Sequence, residues 1–291
     1  MGYQLWTSPI TGYRRRGTRF ESVKQLFMEN ITAKCIYESL LSCPINSESN
    51  HAKEALVVRD FDVAGVKENE DGPVLGYVVA KDIGEDKFKN YVHPIGIDIV
   101  ISDSTPVASI FNILDGNDFA FVIAGNRIAG IITKADINKP PVRIYIFGII
   151  SLLEMHLNLW ISHYFQNNSW TGEISEARMA MANDVFVNRK GNNQELSLLE
   201  CLQFCDKKEL LSKSDEFLDV FEFGKTAFQK FLKRAEDIRN ELAHSQNSII
   251  LNLEWKKFYK TLSTAEEFLL KSDAEVEKRA RDGIDFQDLL I

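Results

Sequence analysis

Gly130-Ile131-Ile132-Thr133-Lys134-Ala135-Asp136 decides how the N-terminal half of the chain is read. Ile128 to Thr133 is a run of apolar and β-branched residues that ends in a helix-capping Thr and an acidic residue, the pattern of a strand turning into a helix. Just ahead of it, Phe119-Ala120-Phe121-Val122-Ile123 is a second compact apolar strand, and Gly125-Asn126 between the two is a hairpin turn. Further back, Asp98 to Thr105 reads as a short strand with a turn ending in Thr, and Pro106 to Leu114 as an amphipathic helix. The order is strand, helix, strand, strand, helix.

That order occurs twice. Gln25-Leu26-Phe27-Met28-Glu29-Asn30-Ile31-Thr32 aligns without gaps to Asp98 through Thr105, and Ala33 to Leu41 to Pro106 through Leu114. This register predicts a strand over 25–32 and a helix over 33–41. Ala55 to Val58 and Gly76 to Val79 then supply the two strands of the hairpin, with an acidic loop of Glu68, Glu70, Asp71 and Gly72 between them. An internal repeat implies two copies of one supersecondary unit packed together.

A tandem repeat ending in Gly-x-x-Thr-x-x-Asp resembles the CBS domain, named for cystathionine β-synthase and found in pairs that bind adenine nucleotides. The resemblance covers about residues 20 to 139. It implies that the Thr133 hydroxyl and the Asp136 carboxylate hold a ribose, that Ile101 and Ala120 wall the base, and that the ligand is ATP, ADP, AMP or S-adenosylmethionine. The chemistry is compatible, since a carboxylate accepts from ribose hydroxyls and a helix N-terminus offers amides to a phosphate. Val79 stands in the first copy where Thr133 stands in the second, so at most one good nucleotide site per pair is expected. The alternative is that Thr133 caps its helix and Asp136 sits in the first turn for stability alone.

Lys139-Pro140-Pro141 marks the boundary between a domain at 1–139 and a helical domain at 140–291, because consecutive prolines do not continue a helix. Val142 to Ile161 is long and apolar, with Ile144, Phe147, Leu152, Met155, Leu159 and Ile161 on all sides, and reads as the central helix of a bundle or as part of a dimer interface. It also has the length of a bilayer span, but Arg143, Glu154, His156 and Asn158 within it weigh against lipid. Further helices are expected at Ile174–Phe186, Leu196–Phe204, Asp215–Ala243 and Asn252–Leu270, with a loop over Asn188–Asn193.

The helix at Asp215–Ala243 carries Phe217, Phe221, Gly224, Phe228, Phe231, Ala235, Ile238 and Leu242 at alternating steps of four and three, one buried stripe. Beside the stripe stands Arg239-Asn240-Glu241-Leu242-Ala243-His244. A permanent cation, a carboxamide and the side chain that titrates near neutral pH together suit phosphodiester chemistry. Asn240 and His244 share a helix face, whereas Arg239 and His244 lie about 140° apart round the axis. The Arg-Asn-x-x-Ala-His run resembles the Arg-x4-His signature of the HEPN superfamily, all-helical domains that include metal-independent RNases with sites built across a homodimer. The resemblance implies RNA cleavage by 2′-hydroxyl attack, with His244 moving the proton, Arg239 stabilising the phosphoryl charge and Asn240 orienting. Glu154 is expected to orient Arg239 by an ion pair, or else to hold the core together. The bland alternative is that Arg239 pairs with Glu236 and His244 caps the helix.

The expected fold is therefore an α+β CBS pair joined to an all-α HEPN-like bundle. With it goes a nucleotide-regulated endoribonuclease of the stress-response or defence-toxin kind, or a non-catalytic sensing, dimerisation or RNA-holding module acting through a partner. The 291 residues suffice for two domains, and a net charge of −8 excludes a protein that coats nucleic acid non-specifically. Arg14, Arg15, Arg16 and Arg19 form one local basic cluster. His156 and His163 share a helix face without a third ligand, and Cys35, Cys43, Cys201 and Cys205 lack zinc spacing, so no metal is expected. A homodimer, a small-molecule nucleotide and RNA are the expected partners, with no membrane and a cytoplasmic location.

Overall fold

The computed structural model describes residues 20–191, 197–243 and 254–281. It divides into two units, one of residues 27–142 and one of residues 1–26 with 143–291. Helix α1 (Phe20–Asn30) opens the described chain. A helix therefore stands where the aligned repeat predicts a strand at 25–32, and the 33–41 segment is a 3-10 turn, Ala33–Cys35, followed by strand β1 (Glu38–Ser39). Thr32 and Thr105, matched in sequence, are not equivalent positions. They stand in adjacent segments, where Ala33 donates to the Thr105 carbonyl at 2.8 Å and Val107 to the Ile31 carbonyl at 3.0 Å.

The repeat in the structure begins later. Its first copy is β2 (Ser42–Pro44), α2 (Ser49–Val58), β3 (Val63–Lys67) and β4 (Val74–Val79), with a 3-10 turn at Ala80–Asp82. The second is β5 (Val100–Ser102), α3 (Val107–Gly116), β6 (Phe119–Ala124) and β7 (Arg127–Thr133), with a 3-10 turn at Lys134–Asn138. In each copy the first strand runs parallel to the second, and the second antiparallel to the third. Ala55 to Val58, expected as a strand, is the last turn of α2, where Leu56 is buried while Val57 and Val58 are exposed. Gly125 carries the positive φ of +65° that the hairpin turn requires.

Each sheet is completed by chain that leads into the other copy. β1, ahead of the first copy, pairs antiparallel with β7, Glu38 opposite Ile131 and Ser39 opposite Gly130. His93, ahead of the second copy, exchanges backbone bonds of 2.8 and 3.0 Å with Tyr77 of β4. Gly130 and Gly76 occupy the same place in their copies and serve this crossing. A Cβ on Gly130 would lie 2.5 Å from the Glu38 carbonyl oxygen and 2.2 Å from the Tyr37 ring, and one on Gly76 would lie 2.6 Å from the His93 carbonyl oxygen. Val63, Ile99 and Phe121 form a buried cluster with Leu40, Tyr77, Phe119 and Ile131 against it, so residues of both sheets share one core.

The helical unit is built of α4 (Pro140–Tyr164), α5 (Glu176–Gly191), α6 (Phe204–Leu211), α7 (Asp215–Val220), α8 (Lys225–Ala243) and α9 (Trp255–Arg281). The paired prolines do not end structure here. They open α4, because the first helical position needs no N–H and favours the φ that proline imposes. Between α4 and α5, Asn167 and Asn168 adopt left-handed φ of 53° and 57°, which asparagine tolerates. The expected loop at Asn188–Asn193 is helical as far as Gly191, and the rest of it lies outside the described residues. Leu199–Cys201 is a 3-10 turn rather than part of a helix over 196–204, and α9 runs beyond Leu270 to Arg281.

The single helix expected over 215–243 is two, broken at Glu222, whose φ is 57°. The predicted stripe survives the break: Phe217, Phe221, Phe228, Phe231, Ala235 and Ile238 are all buried. Trp160, Trp170 and Phe258 are also among the largest buried side chains of this unit. α4 is long and apolar enough to cross a bilayer, and just over half of its most apolar window is buried. Its Ile144 and Phe147 are exposed rather than central.

Candidate functional site

At the end of β7 a cluster of donors converges on one carboxylate. Asp136 Oδ2 accepts from the Thr133 backbone N–H at 2.6 Å and from the Thr133 hydroxyl at 3.1 Å, while the Ala135 N–H donates to Thr133 Oγ1 at 3.3 Å. This is a reciprocal capping box on a five-residue 3-10 turn. Asp136 is 7% exposed. Its other oxygen, Oδ1, takes the Lys139 ammonium at 2.8 Å, and Lys139 also reaches the Ile36 carbonyl and the Glu38 carboxylate. Burial alone would lower the Lys139 pKa, but its hydrogen bonds to Asp136 and Glu38 and the attraction of both carboxylates carry it above the ordinary lysine range. Lys134 on the same turn pairs with Asp118 at 2.8 Å, and that bond holds the Asp118 carboxyl below its usual pKa.

The two residues expected on a ribose thus lie together, already bonded to each other. The amides that a helix N-terminus would offer a phosphate are in part used here, since the Thr133 and Ala135 N–H groups point at side chains of the turn. Ile101 on β5 and Ala120 on β6 are buried, at 7% and 0% exposure. In the first copy the equivalent turn lacks the box: Val79 makes no side-chain cap, and Asp82 is half-exposed beside His93 at 3.7 Å. An open cleft of about 490 Å³ also lies in this unit, between Ile45–Asn50 and Glu85–Lys89; none of the four residues expected at the nucleotide site lines it.

On α8, Arg239 and Asn240 are half-buried, and Arg239 Nη2 donates to Asn240 Oδ1 at 3.2 Å. Arg239 Nε is buried with no hydrogen-bond partner among the described residues. His244 lies outside the described residues, as do Arg14, Arg15, Arg16 and Arg19. Glu154 does not pair with Arg239; its carboxylate takes the Lys207 ammonium at 2.6 Å, because a lysine that is 1% exposed requires a counter-charge. Glu236, the bland candidate for Arg239, stands 3.7 Å from Lys233 instead. Arg143, which the sequence shows only as a charge that weighs against lipid, touches this helix end: its Nη2 donates to the Glu241 and Leu242 carbonyls at 3.4 Å each, where a cation complements the helix dipole.

His156, Ser272 and Asp273 bring imidazole, hydroxyl and carboxylate together, with Ser272 Oγ 2.6 Å from His156 Nδ1 and Asp273 3.9 Å from Nε2. His156 and Ser272 are wholly buried and Trp160 Nε1 donates to the same hydroxyl at 2.6 Å, so the trio ties α4 to α9 and has no access to a substrate. Burial pushes the His156 pKa down to about 4. Among the described residues no group of His, Cys, Asp and Glu is arranged to hold a metal.

No protein-family model matches the chain, and no curated protein matches it. Solved structures do. One is the CBS domain of the bacterial CNNM/CorC family Mg2+ transporter in complex with ATP, to which the chain is similar at 15% identity over 41% of this chain and 92% of that one, TM-score 0.34. A second is a CBS domain pair in complex with 5′-methylthioadenosine and S-adenosyl-L-methionine, at 17% identity over 36% and 91%, TM-score 0.32. A CBS-pair protein from Arabidopsis thaliana is similar at 16% identity over 40% and 96%, TM-score 0.34.

Proposed function

We propose that residues 27–142 sense an adenine nucleotide through Thr133 and Asp136, and that the helical unit is the output, a metal-independent endoribonuclease worked by Arg239, Asn240 and His244. The observation that carries the sensing half is the difference between two equivalent turns. The second copy holds a buried, aligned carboxylate with a hydroxyl beside it, and the first copy has a valine and a half-exposed aspartate. A carboxylate fixed by its own turn is preorganised to accept hydroxyls from a ribose.

In the output half, the RNA 2′-hydroxyl attacks the adjacent phosphorus and the 5′-oxygen leaves, giving a 2′,3′-cyclic phosphate and a free 5′-hydroxyl. His244 moves the proton, Arg239 meets the charge that develops on the phosphoryl oxygens, and Asn240 orients the guanidinium it already touches. A homodimer supplies two such sets. The intracellular role that fits is a cytoplasmic toxin or defence nuclease held in check by nucleotide level.

A second reading has its own observation: Arg239 Nε is buried and one of its Nη groups serves Asn240, as befits a residue that shapes a helix. On that reading the helical unit binds a partner or RNA without cutting it. Incubating the full chain with mixed RNA in EDTA, with and without ATP, AMP and S-adenosylmethionine, separates the two. Cyclic-phosphate ends that disappear in His244→Ala and Arg239→Ala support the nuclease. Nucleotide binding without cleavage supports the second reading.

A further inference from the structure

We infer that Lys139 is an internal occupant of the ribose position, so that a nucleoside reaches Asp136 only by displacing the Lys139 ammonium. The inference rests on the reading of Thr133 and Asp136 as a nucleotide site, and adds to it a residue that controls occupancy.

The argument is a count of bonding positions. An ionised carboxylate offers about four acceptor positions on its two oxygens. Asp136 has two filled on Oδ2, by the Thr133 N–H and hydroxyl, and one on Oδ1, by Lys139. A ribose diol brings two O–H donors, which need two open positions, and at 7% exposure Asp136 has no solvent-facing side left to provide them. Releasing the bonds to Thr133 would dismantle the turn. The Lys139 bond is the one that can open, because the ammonium sits on a flexible four-carbon stem with a quarter of its side chain exposed.

The same ammonium is held from three directions. Its three N–H donors meet Asp136, the Ile36 carbonyl and the Glu38 carboxylate, the last two on the segment that runs through β1. Lys139 therefore sets a threshold on the ligand and also pins β1 against the end of β7. Glu38 lies 63% exposed and is the weaker anchor, so its removal loosens Lys139 without touching the ribose position.

The first copy has no such occupant. Asp82 faces His93 at 3.7 Å, outside hydrogen-bond range, and both side chains are close to half-exposed. The self-occupied position is thus confined to the copy that also carries Thr133.

The test is calorimetric titration of the full chain with adenosine, which has the diol and no phosphate to attract Lys139, and with 2′-deoxyadenosine, which lacks the diol. Lys139→Met keeps the stem and removes the charge. It is expected to tighten adenosine binding roughly tenfold, the scale of one charge-assisted hydrogen bond, and to leave 2′-deoxyadenosine unchanged. Glu38→Gln is expected to shift affinity in the same direction by a smaller factor, and serves if Lys139→Met does not fold. Wild-type binding of adenosine with Lys139→Met equal or weaker overturns the inference and leaves the nucleotide site standing. Equal gains for both nucleosides also overturn it, since the competitor then acts elsewhere. Absence of binding in wild type and both folded variants, with ATP as well, removes the nucleotide site itself.

Discussion

Lys207 and Glu154 face each other at 2.6 Å across α6 and α4, the lysine all but fully buried and the glutamate with 27% of its side chain exposed. A polar residue in an apolar helix must find a partner, and it found one that lies neither on α8 nor near the Arg239 motif in sequence. A charge taken from one side of such a pair leaves the other buried and uncompensated. Glu154→Gln should destabilise the helical unit by on the order of 3 kcal/mol, and Lys207→Met should cost less because the remaining carboxylate reaches solvent. Thermal melts of the two single variants and the double variant check this; a double variant no more stable than Glu154→Gln would count against the pairing as the cause.

The buried His156 predicts a pH dependence with a definite sign. Its folded pKa of about 4 lies below the ordinary 6.5, so the unfolded chain binds the proton more readily. The stabilisation is complete above about pH 6.5 and is lost as pH falls towards 4, a total on the order of 3 kcal/mol. His156→Gln should flatten the fall in melting temperature across that window while lowering the melting temperature at pH 8 through the lost bond to Ser272.

Three glycines should respond differently to alanine. Gly130→Ala and Gly76→Ala each drive a methyl into backbone of the crossing segment, and a loss of about 2 kcal/mol or more is expected for each, since overpacking here cannot be relieved by a side-chain rotation. Gly116, in the last turn of α3, has nothing within 4 Å of the added carbon, and Gly116→Ala should be neutral or stabilising by up to about 1 kcal/mol. Chemical denaturation of the three variants decides it.

Thr133→Val recreates in the second copy the residue that stands in the first. It removes the hydroxyl bonds to Asp136 and from the Ala135 N–H, and the lost cap should cost about 1 kcal/mol. Nucleoside binding should weaken more than stability does, and equal adenosine titrations for wild type and variant would show that the hydroxyl has no part in the site.

What the sequence made legible was mostly local. The hairpin at Gly125-Asn126, the cap at Thr133 and the apolar stripe from Phe217 to Ile238 each depend on residues within a few positions of one another, and all three appear as read. The first repeat was misplaced because its strand β3 is only Val63-Ala64-Gly65-Val66-Lys67, with a glycine in the middle, while the end of α2 supplied the more strand-like run Ala55-Leu56-Val57-Val58. Pro140-Pro141 looked like a break, but it follows a 3-10 turn that ends at Asn138 and is a start, because proline fits the first turn of a helix. At the candidate site, the resemblance carried by Gly130 to Asp136 pointed to Thr133 and Asp136. It could not point to Glu38 and Ile36, since the topology that delivers them to Lys139 is visible only once β1 has been paired with β7.

That pairing bears on how the chain is made. β1 leaves the ribosome before either repeat exists, and its partner β7 is among the last segments of the unit to emerge. Until then Glu38 and Ser39 have no sheet to join, and Lys139 has not been synthesised. The two repeats, though copies of one pattern, are therefore joined by a pairing between the earliest strand of the unit and its latest, a non-local contact of the kind that slows folding. A fragment carrying the second repeat without Glu38 and Ser39 would leave the glycine-lined edge of β7 open.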